Sequence, residues 1–171
     1  ALVWSSGVIA MAGPSMSIIF YDEEGVEEAS FDNGSEQTYY KAACTNSTGE
    51  AIVFGGRDCF FVYSRSRQNL QWELDRSYRV ENMKSVTALA WKQDGSLVAL
   101  GTLGGVVDVY NVAIYAPMVS CGYEITYVSH SQLLVRKEED QSHRPVVLNS
   151  RRGLDIVDIT IHEDRYMTGH T

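Results

Sequence analysis

Residues 85–111 read SVTALAWKQDGSLVALGTLGGVVDVYN, and this stretch decides the fold. Three short runs, Val86–Trp91, Leu97–Gly101 and Val106–Tyr110, carry the period-2 apolar pattern of strands. Asp94-Gly95 and Gly104-Gly105 separate them. Each pair is expected to close a hairpin with both central residues at positive φ, a region that Asp and Gly tolerate. The stretch thus reads as a three-stranded antiparallel meander, with Asp94, Gly95, Gly104 and Gly105 as structural turn residues.

The same wording recurs along the chain. Residues 7–22, GVIAMAGPSMSIIFYD, lie without a gap over residues 49–64, GEAIVFGGRDCFFVYS. Gly7, Gly49 and Gly95 then coincide, as do Gly13, Gly55 and Gly101. Tyr21-Asp22, Tyr63-Ser64 and Tyr110-Asn111 coincide after one inserted residue in the third unit. The three tyrosines are 42 and 47 residues apart, near the ~40–45 residues of a four-stranded propeller blade. Val26–Phe31, Leu70–Leu74 and Met118–Gly122 are more polar and read as outer fourth strands of the three units. Glu124–Val128, Gln132–Arg136 and Val146–Leu148 read as a degraded fourth unit, with the charged loop 137–145 inside it. Ile156–Ile161, a turn at Glu163-Asp164 and Tyr166–Gly169 open a fifth. Helical periodicity is confined to a short segment near Glu81–Lys84. The fold class is all-β: an incomplete propeller of four-stranded antiparallel sheets. Its blades are expected at about residues 1–35, 36–80, 81–122, 123–152 and 153–171. Neighbouring blades bury both faces of a sheet, which accounts for inner strands that are apolar nearly throughout. End blades would expose unpaired edges, so the isolated piece is expected to be poorly soluble or to self-associate, with the longer native chain closing the ring.

The totals exclude several function classes. A net charge of −8 over 171 residues is unsuited to a nucleic-acid backbone. No apolar run approaches the ~20 residues of a membrane helix, so no membrane insertion is expected. The chain starts on apolar residues without a basic flank or an initiator Met, and is read as a piece of a longer product without a signal peptide. Cys44, Cys59 and Cys121 are odd in number and far apart, as in a reduced intracellular protein. Asn46-Ser47-Thr48 matches a glycosylation sequon but reads better as a polar hairpin turn.

The units resemble the Trp-Asp repeat: a short strand, a D-G turn, L-x-A-x-G-T, then a strand ending in an aromatic-polar pair. Tyr-Asp, Tyr-Ser and Tyr-Asn replace the usual Trp-Asp pair, and the Gly-His pair is missing. Asp58 stands where that family places its turn aspartate, and Gly104 occupies that place in the next unit. A closer likeness runs through VTALAWKQDGSLVALGTLGGVVDVYN, YEITYVSHSQLLVRK, RPVVLNS and DRYMTGHT. It resembles the N-terminal propeller region of the intraflagellar transport 172 family. That resemblance implies a non-enzymatic scaffold subunit of intraflagellar transport complex B, needed for cilium and flagellum assembly. It also implies residence in the cilium or flagellum and the cytoplasm at its base. The implied partners are other complex subunits, with no cofactor and no small-molecule substrate.

No catalytic constellation stands out. His130, His143, His162 and His170 lack metal-ligand spacing and sit beside no cysteine. No serine lies in a nucleophile elbow, and GTLGG at 101–105 lacks the lysine and helix of a phosphate loop. The segment 22–36 holds seven carboxylates and no basic residue. It reads either as a solvated outer strand and loop or as a docking patch for a basic partner, with Asp22, Glu23, Glu24, Glu27 and Glu28 as the candidate partner surface. Arg65, Arg67, Arg76 and Arg151-Arg152 form smaller basic clusters whose stems can cover apolar edges. Gly49 joins the structural turn residues. A vesicle-coat or ubiquitin-ligase propeller is the alternative within the binding class. A propeller-supported enzyme is the other class, and it would need titratable residues converging on one rim.

Overall fold

A computed structural model describes residues 1–13, 17–33, 39–66, 69–79, 85–113, 118–138, 144–150, 154, 156–162 and 165–170. Among them there are strands and turns and no helix. Blade one is β1 (Leu2–Ser5), β2 (Val8–Ala12), β3 (Ser17–Asp22) and β4 (Glu27–Asp32), paired in that order. Blade two is β5 (Ala42–Thr45), β6 (Ala51–Gly55), β7 (Cys59–Arg65) and β8 (Trp72–Arg79). Blade three is β9 (Val86–Trp91), β10 (Leu97–Thr102) and β11 (Val107–Asn111). Blade four is β12 (Met118–Ser120), β13 (Tyr123–Tyr127), β14 (Gln132–Lys137) and β15 (Val146–Asn149); β16 (Ile156–His162) and β17 (Arg165–His170) form a fifth, two-stranded sheet. Every pairing is antiparallel. The chain is therefore all-β, built from the four-stranded antiparallel sheets of an incomplete propeller. The Glu81–Lys84 segment and the Glu163-Asp164 turn lie outside the described residues.

Three readings are corrected. Met118–Ser120 is not the outer strand of blade three. It pairs with β13 through Met118↔Ile125 and Ser120↔Tyr123, because Cys121 (φ 52°) and Gly122 (φ 76°) make a two-residue turn too short to reach another sheet. The Asp94-Gly95 turn is also of a different type. Gly95 sits at φ 76° but Asp94 is not at positive φ. The Gly95 N–H instead donates to the Lys92 carbonyl at 2.9 Å, a four-residue turn that ends on one left-handed glycine. Gly105 (φ 80°) repeats this, its N–H on the Thr102 carbonyl at 3.0 Å, and Gly104 is not at positive φ. The turn with both residues at positive φ that the sequence assigns to Asp94-Gly95 occurs at Ser6 (φ 30°) and Gly7 (φ 82°).

That last turn has a consequence for blade one. Val8 follows Gly7 directly and pairs with Ser5. In blade two Glu50 intervenes, so Ala51 is the first strand residue after Gly49. The gapless match of 7–22 to 49–64 is thus off by one along β2. A one-residue slip moves each side chain to the opposite face. Ala10, over Ile52 in the sequence match, faces blade two, whereas Ile52 faces blade one.

Packing between sheets supplies the core. Blade one turns Val8, Ala10, Ile18 and Phe20 onto Ile52, Phe54, Tyr63 and Trp72 of blade two. Phe20 stacks on Trp72 at 4.7 Å and meets Phe31 edge-on at 5.7 Å. Such aromatic pairs contribute about 0.5–1.5 kcal/mol each beyond area burial. The other face of blade two, Val53, Phe60 and Val62, packs on Val86, Val98 and Leu100 of blade three. Blade four packs its Ile125, Leu133 and Val135 on Ile156 and Ile159 of the fifth sheet. Burial on both faces thus holds for blade two, whose β6 is buried throughout. It fails for blade three, where Val107 and Val109 stay 70% and 60% exposed.

Candidate partner surface

The acidic segment forms the β3–β4 turn and the outer edge of blade one. Asp22 ends β3, and its Oδ1 accepts the N–H groups of Glu24 at 2.9 Å and Val26 at 2.7 Å. Gly25 (φ 84°) completes the bend, donating to the Asp22 carbonyl. The Asp22 carboxylate is therefore committed to its own turn and is half-buried. Glu23, Glu24, Glu27 and Glu28 are exposed. β4 pairs on one side only, and a register shift between Phe20 and Tyr21 leaves Glu28 between Glu27 and Ala29, the two β4 residues that keep partners. A bulge of this kind, with acidic side chains on an edge strand, discourages strand addition. The four glutamates are thus brought to one rim; Glu36 lies outside the described residues.

The remaining sequence candidates are spread over the turns. Gly49 (φ 78°) closes the turn after β5, where the Asn46 Oδ1 accepts the Ala51 N–H at 3.2 Å and its Nδ2 donates to the Thr48 hydroxyl at 3.0 Å. Asn46 is buried, which accounts for the sequon as a turn staple. Asp58 faces Arg79 at 3.7 Å across the end of blade two. Asp94 is half-buried. Burial opposes its ionisation, but the Lys92 ammonium at 2.5 Å and the Ser96 hydroxyl and N–H outweigh it, so the carboxyl is held below its usual range. Gly104 and Gly105 are exposed. Of the arginines, Arg65 donates Nε–H to the Leu70 carbonyl at 2.8 Å, and Arg76 lies 3.7 Å from Asp75. Arg67 and Arg151-Arg152 lie outside the described residues.

A polar cleft of about 1060 Å³ opens where the turns of blades two and three meet blade four, lined by Glu50, Lys92, Asp94, Gln132 and Arg144 among others. Sequence reasoning missed it, because it joins residues far apart in the chain. The hairpin 128–131 closes it. His130 is buried there, its Nε2 against the Arg65 carbonyl at 2.5 Å, and its own carbonyl accepts the Ile156 N–H. His130 is a structural clasp between blades. His143 and the side chains of His162 and His170 lie outside the described residues. No group of three metal-ligating side chains gathers among the described residues, and no helix there is long and apolar enough to cross a membrane. Cys44 and Cys59 are half-buried and Cys121 is exposed; burial pushes the Cys44 thiol up to about 11. Burial also raises the Tyr63 hydroxyl, which accepts the Asn33 amide of blade one at 2.5 Å, a polar tie across the first blade interface.

No family model matches the chain. Intraflagellar transport protein 172 of Chlamydomonas reinhardtii is 34% identical over 173 residues, covering 100% of this chain. The chain is homologous to a segment of intraflagellar transport protein 172. The Rattus norvegicus homologue is 32% identical over the whole chain, and the Caenorhabditis elegans protein osm-1 is 27% identical over 99% of it. The chain spans only 10% of the length of each of these relatives. Among solved structures, the computationally designed Ika8 protein aligns over 99% of this chain and 54% of its own, with a TM-score of 0.53 at 15% identity, a likeness of fold alone.

Proposed function

We propose that this chain is a non-catalytic interaction module of an intraflagellar transport protein, acting within complex B in the assembly of cilia and flagella. The observation that carries this reading is the match to transport-protein 172 homologues along the whole chain. The architecture supports it: strand residues are committed to packing between blades. The partners are other transport subunits, and the place of action is the cilium or flagellum and the cytoplasm at its base. The contact surface is the acidic rim of blade one. Its four exposed glutamates steer a basic partner, since rim charges act chiefly on encounter rate.

Affinity capture tests both parts. The full-length parent protein from ciliated cells, wild type and with Glu23, Glu24, Glu27 and Glu28 all changed to Lys, is isolated and its co-purifying subunits identified by mass. The wild type is expected to recover transport subunits, and the variant to lose one of them while keeping its thermal stability. Wild-type protein that recovers no transport subunit refutes the ciliary reading. Equal recovery by both refutes the acidic rim alone.

A further inference from the structure

The polar cleft is lined only by residues between Ser47 and Ser150, well inside the chain. The hairpin that closes it is polar and yet buried: Ser129, His130, Ser131 and Gln132 are all under a tenth exposed. Buried polar groups cost free energy unless they find partners. Gln132 lines the cleft at 4% exposure, and its Oε1 has no hydrogen-bond partner. An acceptor left open in this way is met in native proteins by a water or by a donor from outside the chain.

Most of the charge in the cleft is already committed. Lys92 lies 2.5 Å from Asp94, and Glu50 accepts the Thr48 hydroxyl at 3.3 Å. Arg144 is exposed, and no ion pair engages it among the described residues. β15 runs along the cleft, which Pro145, Val147 and Asn149 line at every second position. Among the described residues β15 is the last strand of its sheet and pairs with β14 alone. The Ser150 N–H donates to the Ser131 carbonyl at 2.8 Å. Bonded and non-bonded pairs alternate along an antiparallel ladder. Val146 and Leu148 therefore turn their main-chain groups to β14, and Val147 and Asn149 turn theirs to the open edge. The residues that line the cleft are thus the ones whose main-chain groups are unpaired.

We propose that this cleft takes an extended peptide of a partner protein, which adds to β15 as a further strand and sets an acidic side chain on Arg144. Main-chain pairing at a sheet edge supplies affinity to such a peptide, and the flanking side chains supply its selectivity. A nucleotide is less suited: the lining carries no aromatic ring for a base to stack on, and the Lys92 cation is taken by Asp94. The contact is separate from the glutamate rim of blade one, which attracts the opposite charge.

Short random-sequence peptides with a fixed central Asp, Ala or Lys, displayed on phage and selected on the full-length parent protein, test this. The Asp pool is expected to enrich, and its best peptide, fluorescently labelled, to bind the parent by anisotropy. Arg144→Glu is expected to weaken that binding about tenfold or more, the scale of one lost charge-assisted hydrogen bond, and to favour the same peptide with Lys in place of Asp. Val147→Pro removes an N–H that faces the open edge, where proline is tolerated in a strand. It is expected to abolish binding while leaving the melt in place, since Val147 is 40% exposed. A parent that enriches no pool over its Val147→Pro variant overturns the proposal, as does equal binding of the Asp and Lys peptides. If the melt of Val147→Pro falls, Arg144→Glu decides, and unchanged binding by that variant overturns the proposal too. The ciliary reading is untouched by either result, because no ciliary protein enters the test as ligand.

Discussion

Gly55→Ala adds one carbon where blades two and three approach closely. The new Cβ would sit 2.5 Å from Val86 Cγ1, 2.8 Å from Val86 Cβ and 3.2 Å from Leu89 Cδ1. Carbon atoms pack at about 3.5–4.0 Å, so the sheets must separate locally by about 1 Å. Val86 cannot absorb the shift by itself. It is fully buried, β-branched and stiff at χ1, and its N–H is held on the Gly56 carbonyl at 2.8 Å. Overpacking of this kind costs about 1–3 kcal/mol. Restricting the unfolded chain returns about 0.4–1 kcal/mol, since the Gly55 backbone is not at positive φ. The net loss is then about 1–2 kcal/mol by that balance. Val86→Ala alone costs about 2 kcal/mol in lost burial and cavity. Combined, the two changes relieve each other, and their coupling is about 1 kcal/mol. Gly101→Ala, on the bare face of blade three, is the control and costs less than about 0.5 kcal/mol. Urea unfolding read by the fluorescence of buried Trp72 measures all four. Gly55→Ala as stable as Gly101→Ala, or a double variant whose loss equals the sum of its parts, refutes the close packing of blade two on blade three.

Further outcomes follow from the turns and the thiols. Gly95→Val loses about 1–3 kcal/mol for a branched residue at φ 76°; it loses more than Gly105→Val, because a Cβ at Gly95 also meets Val128 at 3.3 Å whereas one at Gly105 meets nothing within 4 Å. The Asp94 carboxyl is held below its usual range in the folded chain. Its contribution is therefore present above the unfolded value, near 4, and is lost as pH falls through the lower folded value. Asp94→Asn is expected to flatten the acid side of a melting-temperature profile, and an unchanged profile would remove the Lys92–Asp94–Ser96 cluster from the account. Alkylation of the native chain at pH 8 is expected to label exposed Cys121 first and Cys44 slowest, because burial holds the Cys44 thiol up near 11. Labelling of Cys44 as fast as Cys121, followed by peptide mass, would mean that the interface of blades two and three opens readily.

Local pattern by itself determined much of this protein. Alternating Val86–Trp91 and Leu97–Gly101, with glycine turns between them, could only be antiparallel strands. Their recurrence at blade spacing pointed to stacked sheets, and the wording of residues 86–111 to the transport family. Tertiary structure decided what depends on counting residues through a turn. Two residues at Ser6-Gly7 replace the five between β5 and β6, and every β2 side chain changes face. Two residues at Cys121-Gly122 tie Met118–Ser120 to blade four rather than blade three. A strand repeats every two residues, so composition survives a one-residue shift while the identity of the buried face does not. The glutamate rim was legible as a run of charge, but the commitment of Asp22 to its turn was not. The polar cleft and the His130 clasp were invisible in one dimension, because they exist only where sheets that are distant in sequence are brought together by burial of their apolar faces.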